Sequence, residues 1–267
     1  MPANSGRLHW PAEAIWQVVE PLVPGFQVEI LPEIDSTNSE LMRRCRGGHA
    51  DPILLLAEHQ LAGRGRLGRS WYSTPGSSLT FSLGLPLSPA DWSGLSLAAG
   101  VSVAERLIAL GATGIGIKWP NDLWLGSAKL GGILIETAAL GDRRYAVVGV
   151  GLNLREPDGA LPELTGSSVP SVPPAWLQSV TAANAPQVLG AVGPGLVLDL
   201  LRFEREGWQA FARRFARLDR LDGCAVQLSD GREGWACGVS PGGALRLQTA
   251  TGLIEIGSGE VSVRLQG

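Results

Sequence analysis

The residues best suited to chemistry lie in a short segment rich in glycine and arginine. Gly63-Arg-Gly-Arg-Leu-Gly-Arg-Ser-Trp71 places three arginines among three glycines. Glycine lets the backbone approach a ligand closely and exposes its N–H groups, and arginine offers forked donors to phosphate or carboxylate. We therefore expect an anion-binding loop that stays mobile until an anion orders it. The structural alternative is a solvated basic turn.

The spacing of the three glycines, Gly63-x-Gly65-x-x-Gly68, also matches the dinucleotide-binding fingerprint. That fingerprint must open a helix within a strand–helix–strand unit. Here Trp71, Tyr72 and Pro75 follow, which favours extended chain. The fingerprint is therefore rejected, and the sequence has no Walker-type phosphate loop.

A second segment, Lys118-Trp-Pro-Asn-Asp122, follows directly after a predicted strand. Pro120 biases the residue before it toward an extended conformation and interrupts strand pairing. Lysine, asparagine and aspartate are the side chains needed to hold a triphosphate and a magnesium ion. The structural alternative is a turn in which Lys118 simply pairs with Asp122.

A third segment, Lys129-Leu-Gly-Gly-Ile133, brings a lysine into an otherwise apolar strand. A cation at the entrance of a buried strand is unfavourable unless an anion compensates it. Alternatively, the lysine extends from a strand edge into solvent.

The elements that must position these segments follow from hydrophobic periodicity and turn signals. Thr37 and Glu40 fit a capping box that opens a helix, with Thr37 as N-cap. Residues 156–174 predict a long loop, and short alternating runs after residue 220 predict a small β-barrel-like module. Predicted helices span 11–20, 37–47, 95–110 and 196–218, and predicted strands span 27–31, 53–58, 78–85, 114–118, 129–137 and 145–154.

Composition bounds the class of protein. The chain has 267 residues, of which 18% are charged, with 36 glycines and 18 prolines. This charge content and the lack of a triplet period exclude a disordered chain and collagen. A net charge of −3 provides no global field for nucleic acid or anionic membranes, and no membrane-spanning or signal segment is expected. Three cysteines without a paired motif predict reduced thiols in a cytoplasm.

Together with Gly149-Val-Gly-Leu-Asn153, the three segments resemble biotin protein ligases in order and spacing. Asp35-Ser-Thr-Asn38 stands where that family has its Ser-Thr-Asn element. The resemblance covers roughly residues 28–265. It implies an α/β (α+β) fold, in which a mixed β-sheet with helices on one side is followed by a small SH3-like β-barrel. The expected domains are residues 1–219, which bind biotin and ATP, and residues 220–267.

The resemblance implies roles for individual residues. Lys129 and Arg66 are expected to be catalytic, because cations must stand between the biotin carboxylate and the α-phosphate of ATP. Asp122 is expected to bind Mg²⁺. Expected biotin-binding residues are Ser36, Thr37, Asn38, Gln60, Arg64, Gly65, Arg66, Lys129 and Gly131. Expected ATP-binding residues are Arg64, Arg66, Arg69, Lys118, Asn121 and Asn153. Leu67 stands where many relatives have another arginine, which removes one charge from the loop.

The activity implied is ATP-dependent formation of biotinyl-5′-AMP and transfer of biotin to a lysine of the biotin carboxyl carrier protein of acetyl-CoA carboxylase. A homodimer is possible within the family. Members that double as repressors carry a helix-turn-helix domain, for which residues 1–27 are too short. DNA binding is therefore not expected. The alternatives are a lipoate- or octanoate-protein ligase of the same fold and a non-catalytic biotin-sensing module.

Overall fold

A mixed sheet of seven strands forms the centre of the computed structural model, which describes residues 8–157, 172–257 and 263–265. Its strands are β1 (Gln27–Ile34), β2 (Ile53–Gln60), β3 (Ser78–Leu87), β4 (Ile115–Lys118), β5 (Asp122–Leu125), β6 (Ala128–Leu140) and β7 (Arg143–Asn153). Their order is β1-β2-β3-β7-β6-β5-β4. β1 and β2 are parallel, and the other neighbours are antiparallel. The predicted mixed sheet is confirmed.

Helices cover both faces of this sheet. The helices are α1 (Ala12–Val19), α2 (Thr37–Arg46), α3 (Leu95–Ala109), α4 (Ala185–Glu206) and α5 (Gln209–Ala216). Leu54 and Leu56 of β2 belong to the main core with α1, α3, α4 and α5, whereas Ile53 and Leu55 pack with α2. Successive strand residues point to opposite faces. The prediction that all helices lie on one side is therefore wrong for α2.

The start of α2 differs by one residue from the capping box predicted from the sequence. Ser36 is the N-cap, and its hydroxyl accepts a hydrogen bond from the Ser39 N–H. Glu40 does not bond back to the N-cap but pairs with Arg43 and Arg44. The Thr37 N–H instead donates to Gln60 Oε1 at 2.7 Å. The first turn of α2 is thus tied to the end of β2.

The long helix predicted over residues 196–218 is two helices. α4 begins earlier, at a capping box formed by Asn184 and Gln187, and continues through Pro194. It ends at Gly207, whose φ of 66° is a conformation that glycine adopts readily. After this break the chain forms α5.

The segment from Lys118 to Asp122 is the turn of a hairpin rather than a simple strand end. Lys118 of β4 lies opposite Asp122 of β5, a strand that hydrophobic periodicity missed because it has four residues. The Trp119–Pro120 peptide bond in this turn is cis. Asn121 stands at the tip of the hairpin, and its Nδ2 donates to the Ile133 carbonyl of β6.

A second, antiparallel sheet follows α5. Its strands are β8 (Ala225–Leu228), β9 (Glu233–Val239), β10 (Leu245–Thr249), β11 (Gly252–Ile256) and β12 (Val263–Leu265), in the order β11-β10-β9-β8-β12. Its strands match the short runs predicted from the sequence. Among the described residues β11 and β12 lie at opposite edges, so closure into a barrel stays a prediction. Residues 158–171, within the predicted loop, lie outside the described residues.

The two sheets meet at the hairpin between β4 and β5. The Ile117 N–H donates to the Leu218 carbonyl, and the Arg220 N–H donates to the Ile117 carbonyl. The predicted division at residues 219 and 220 falls within this paired segment, and the two-domain division stays a prediction. In the described part of the chain, no helix has the length and apolar character to cross a bilayer.

This junction contains a carboxyl group that titrates abnormally. Burial raises the pKa of Asp219 from 3.8 to about 6, and the neighbouring Asp222 adds to the shift. Because the folded pKa is raised, protonation of this carboxyl favours the folded state. This contribution to stability is fully present below pH 3.8 and is lost as pH rises through about 6. The group disfavours folding at neutral pH.

We expect Asp219→Asn to remove this pH dependence. Asparagine keeps the oxygen that accepts from the Leu221 N–H but carries no charge. Relative to the variant, the wild type should lose about 2 kcal/mol of unfolding free energy between pH 4 and pH 7.5. Urea unfolding at both pH values measures the difference. Asp142→Asn, at an exposed turn, controls for net charge, and an identical pH dependence in wild type and Asp219→Asn would contradict the expectation.

Candidate active site

The candidate site begins with buried polar side chains where the first turn of α2 meets the sheet. Thr37, Asn38 and Ser82 are each at most 3% exposed, and Gln60 is 8% exposed. Ser82 lies on β3 between Phe81 and Leu83, which face the main core. The alternation of β3 therefore directs Ser82 to the opposite face, where α2 packs.

These side chains form one continuous hydrogen-bonded chain. The Thr37 and Ser82 hydroxyl oxygens are 2.7 Å apart, and Ser82 Oγ donates to Asn38 Oδ1 at 2.6 Å. Thr37 Oγ1 is also 3.1 Å from Gln60 Oε1. At the other end, Asn38 Nδ2 donates to Glu136 Oε2 at 3.1 Å. Such groups are stable in a protein interior because every one has a partner.

A small cleft lies beside this chain. Its volume is about 30 Å³, and Trp71 closes one side. A Cβ at Gly151 would lie 2.5 Å from the Trp71 ring, and a Cβ at Gly149 would collide with Asn38 Oδ1. The two glycines of β7 therefore permit the close approach of the indole and of α2. The lining residues are Ser36, Thr37, Asn38, Gln60, Arg64, Trp71, Thr80, Phe81, Leu134, Gly149, Val150 and Gly151.

The glycine- and arginine-rich loop is a small hairpin over this cleft. The Gly65 N–H donates to the Arg69 carbonyl at 2.7 Å, and the Arg69 N–H donates to the Arg66 carbonyl at 3.1 Å. Arg64 anchors the hairpin, because its Nη1 donates to Glu136 Oε1 at 3.1 Å. The loop thus has a defined conformation with one side chain fixed to β6.

A second group of polar side chains meets beyond Arg64. Arg66 Nη1 donates to Asn121 Oδ1 at 3.0 Å, and Asn121 Nδ2 donates to the Ile133 carbonyl at 2.9 Å. Lys129 Nζ lies 2.7 Å from Asp122 Oδ1. The anion that the sequence requires for Lys129 is therefore Asp122. The loop, the hairpin turn and β6 converge at this point.

This region carries an excess of positive charge. Burial lowers the pKa of the Arg66 guanidinium; Asp122 opposes this shift, and Arg69 adds to it. Burial likewise lowers the pKa of Lys118, with further lowering by Lys129 and Arg69. Four cations, Arg66, Arg69, Lys118 and Lys129, thus interact around Asp122. A polyanion such as a triphosphate would relieve their mutual repulsion.

The Lys118 ammonium itself faces the second sheet. Its Nζ donates to the Val263 carbonyl at 2.6 Å and lies 5.3 Å from the centre of the Trp124 ring. Trp119 Nε1 donates to the Gly243 carbonyl. The first two residues of the segment therefore hold the second sheet, whereas Asn121 and Asp122 face Arg66 and Lys129. Lys118 does not pair with Asp122 as in the alternative considered from the sequence, and its contact with ATP stays a prediction.

Gly131 has a structural explanation. A Cβ at this position would lie 2.5 Å from the Gly151 carbonyl of the neighbouring strand. The glycine is thus required by the close approach of β6 to β7. At Gly132, by contrast, a Cβ would face Asp122 and Lys129 at 3.5–3.8 Å. A contact of Gly131 with biotin stays a prediction, and so does one of Gly65, whose N–H is used within the hairpin.

The residues around Asp122 fit a magnesium ion that arrives with a phosphate ligand. Within residues 8–157, 172–257 and 263–265, no group of three or more His, Cys, Asp or Glu side chains could hold a metal ion. Mg²⁺ commonly binds through one or two carboxylates together with substrate phosphates and waters. Asp122 is positioned to supply such a carboxylate. Asn153, whose Nδ2 donates to the Lys129 carbonyl, fixes the strand that carries Lys129.

Sequence motifs missed several residues of the site. Four residues near the site belong to no motif: Glu136, Ser82, Thr80 and Ser73. Ser73 contributes because its Oγ accepts a hydrogen bond from the Gln60 N–H at 2.8 Å. The signal that could have found two of them is the alternation Thr80-Phe-Ser82-Leu in β3, because polar residues that alternate in a buried strand need a polar environment. A larger groove of about 340 Å³, near Trp92, Trp119 and Thr137, contains none of the predicted site residues.

The tip of the hairpin contains a strained residue. Leu67 has φ 55° and ψ 35°, and Gly68 has φ 72°. With the hydrogen bond from Arg69 to Arg66, this is a type I′ turn, which favours asparagine followed by glycine. A leucine in the left-handed region is unfavourable. Leu67 therefore stands at a position that suits asparagine or glycine better than leucine.

We expect Leu67→Asn to stabilise the ordered hairpin by about 1 kcal/mol, because asparagine tolerates left-handed backbone. Amide hydrogen exchange at Gly65 and Arg69 measures this as slower exchange. Leu61→Asn is the matched control, since Leu61 and Leu67 are both 63% exposed and Leu61 has no positive φ. Equal protection in both variants would contradict the assignment of strain to Leu67.

Comparison with known proteins identifies the family. Residues 31–153 match the Biotin/lipoate A/B protein ligase family. The chain is 35% identical to the bifunctional ligase/repressor BirA of Escherichia coli over 250 residues, which are 90% of this chain and 75% of that protein. It is 39% identical over 147 residues to the biotin–acetyl-CoA-carboxylase ligase of Mycobacterium tuberculosis, covering 52% of this chain and 54% of that protein.

The fold agrees with this result. The biotin protein ligase of Aquifex aeolicus, solved in complex with biotin and ATP, superposes with a TM-score of 0.74 and 29% identity. The match covers 90% of this chain and 99% of that one. The sequence identity to BirA, its coverage and the shared fold lead to one conclusion. This chain belongs to the biotin protein ligase family.

Proposed function

We propose that this protein uses ATP to activate biotin as biotinyl-5′-AMP and transfers biotin to a lysine of the biotin carboxyl carrier protein of acetyl-CoA carboxylase. The observation that carries the proposal is the adjacency of two environments. One is the uncharged polar cleft formed by Thr37, Asn38 and Gln60. The other is the group of cations around Asp122. A ligand that joins a urea-like ring to a carboxylate, and a triphosphate beside it, match these environments.

The cleft suits the ureido ring of biotin. That ring has one carbonyl acceptor and two N–H donors, which need hydroxyl and amide partners of the kind that Thr37 and Gln60 supply. Its apolar side chain would lie along Trp71 and the glycines of β7. The cleft of about 30 Å³ must widen to admit it, so the Trp71 side chain and the hairpin must move.

The cation group suits the first reaction. A carboxylate oxygen of biotin attacks the α-phosphorus of ATP, an acyl–phosphate bond forms, and pyrophosphate leaves. Arg66 and Lys129 would reduce the repulsion between the two anions and stabilise the charge at phosphorus. Mg²⁺ held by Asp122 would supply further neutralisation of the triphosphate.

The second reaction transfers the acyl group. The carrier lysine amine attacks the carbonyl of biotinyl-5′-AMP, an amide forms, AMP leaves and the amine loses a proton. Water would hydrolyse the same mixed anhydride. The hairpin that bears Arg64 and Arg66 would exclude water once the ligand holds it over the cleft.

A labelling experiment tests the whole proposal. The protein is mixed with ATP, Mg²⁺, radiolabelled biotin and an apo biotin-carrier domain, and label is expected on the carrier lysine. This chain contains two lysines, Lys118 and Lys129, of which the first is 8% exposed and the second is ion-paired. Self-labelling should therefore not obscure transfer. Absence of labelled carrier, with lipoate transferred instead, would favour the lipoate ligase alternative.

We expect Lys129→Ala to slow adenylate formation by about 10²–10³-fold, since a preorganised donor to the transition state is removed. Pyrophosphate release measures this rate. Because the Lys129–Asp122 pair is partly exposed, the melting temperature should change little. Arg143→Ala, which breaks the remote pair with Glu204, is the control. Normal turnover together with a large loss of stability would show that Lys129 is structural.

We also expect biotin and ATP together to protect the hairpin from proteolysis. Trypsin should cleave after Arg64, Arg66 and Arg69 in the free protein, because the tip is exposed. Bound ligand should close the hairpin and slow these cleavages. Mass spectrometry of the fragments measures the rate at each arginine, with cleavage after the remote Arg232 as the internal control. Equal rates with and without ligand would contradict the role of the hairpin as a lid.

A further inference from the structure

Glu136 occupies a position in the site that no sequence motif indicates. It lies on β6, and its side chain is 21% exposed. The carboxylate accepts hydrogen bonds from two directions. Asn38 Nδ2 donates to Oε2 at 3.1 Å, and Arg64 Nη1 donates to Oε1 at 3.1 Å. Glu136 therefore joins the buried start of α2 to the hairpin over the cleft.

The carboxylate determines which way the Asn38 amide faces. Asn38 Nδ2 lies near two acceptors, Glu136 Oε2 and the Leu134 carbonyl at 3.4 Å. An amide oxygen in that position would meet oxygen on both sides, so the NH₂ group must point there. Asn38 Oδ1 then faces Ser82 Oγ at 2.6 Å. The single hydroxyl hydrogen of Ser82 is thereby donated to Asn38.

This donation fixes the role of Thr37. Since the hydrogen of Ser82 is used, the 2.7 Å contact between the two hydroxyls is a hydrogen bond only when Thr37 donates to Ser82. The alternative acceptor for Thr37 is Gln60 Oε1 at 3.1 Å. In both cases the Thr37 hydrogen is used within the protein. The hydroxyl can then offer the cleft only a lone pair, which accepts from a ligand N–H.

We infer that Glu136 is a positioning residue that sets the direction of this hydrogen-bonded chain and anchors Arg64 over the cleft. The inference rests on the proposed function, since the ureido N–H groups of biotin are the donors that an accepting Thr37 would select. A neutral glutamine at this position has its own NH₂ group and can turn either end toward Asn38. The Asn38 amide could then rotate, and Thr37 would lose its fixed role as an acceptor.

The first test separates the two substrates. Glu136→Gln is expected to raise the KM for biotin tenfold or more, the effect of losing charge-assisted hydrogen bonds. The KM for ATP and kcat are expected to stay within about threefold, because Glu136 does not contact the cation group. Glu204→Gln is the matched control, since Glu204 also pairs with an arginine and is also 21% exposed. An unchanged KM for biotin, or an equal rise for both substrates, would overturn the inference.

A second test needs no substrate. In the free protein, chymotrypsin should cleave after Leu67, Trp71 or Tyr72 several-fold faster in Glu136→Gln than in wild type, because the open hairpin is more populated. Glu204→Gln should behave like wild type. Equal rates in Glu136→Gln and wild type would overturn the anchoring role. Failure of the wild type to ligate biotin would refute the proposed function. A wild type that ligates biotin, together with an unchanged KM for biotin in Glu136→Gln, would refute the role of Glu136.

Discussion

The candidate site depends on one physical constraint, which is that polar groups buried between α2 and the sheet must all be hydrogen-bonded. Thr37, Asn38 and Ser82 lie almost entirely out of water. Each would destabilise the fold by about 1–3 kcal/mol if it lost its partner. The chain from Gln60 to Glu136 meets this requirement, and it also holds the donors and acceptors of the cleft in place before any ligand arrives. The same set of contacts therefore preorganises the site and stabilises the fold.

The same constraint explains why the sheet has helices on both faces. Were the α2 face open to solvent, water would compete for the hydroxyls of β3 and their geometry would be variable. α2 excludes water from Ser82, and Gly149 permits this because any side chain there would collide with Asn38. The cleft is thus the part of this face where glycines, an indole and the start of a helix meet, rather than a separate cavity cut into the core.

Much of the fold could be predicted from the sequence, because strands such as β2 and helices such as α3 are long and strongly patterned. The errors arise where tertiary contacts outweigh local pattern. Ser36 replaces Thr37 as N-cap because the Thr37 N–H bonds to Gln60, which lies 23 residues away. β5 has four residues and no distinctive period. Short motifs indicated Arg66, Asp122 and Lys129, and polar alternation in β3 is a signal for Ser82. Glu136 enters the site only through strand register, which one sequence does not reveal.

The hairpin connects the two halves of the site mechanically. Arg64 bonds to Glu136 at the uncharged cleft, and Arg66 bonds to Asn121 at the cation group. Gly65 alone separates them, and its N–H is fixed within the hairpin. Each arginine thus holds one half of the site. A ligand in the cleft and a triphosphate beside Asp122 would each meet one of these arginines. One hairpin can therefore cover both halves of the site, because two arginines separated by a single residue reach different partners.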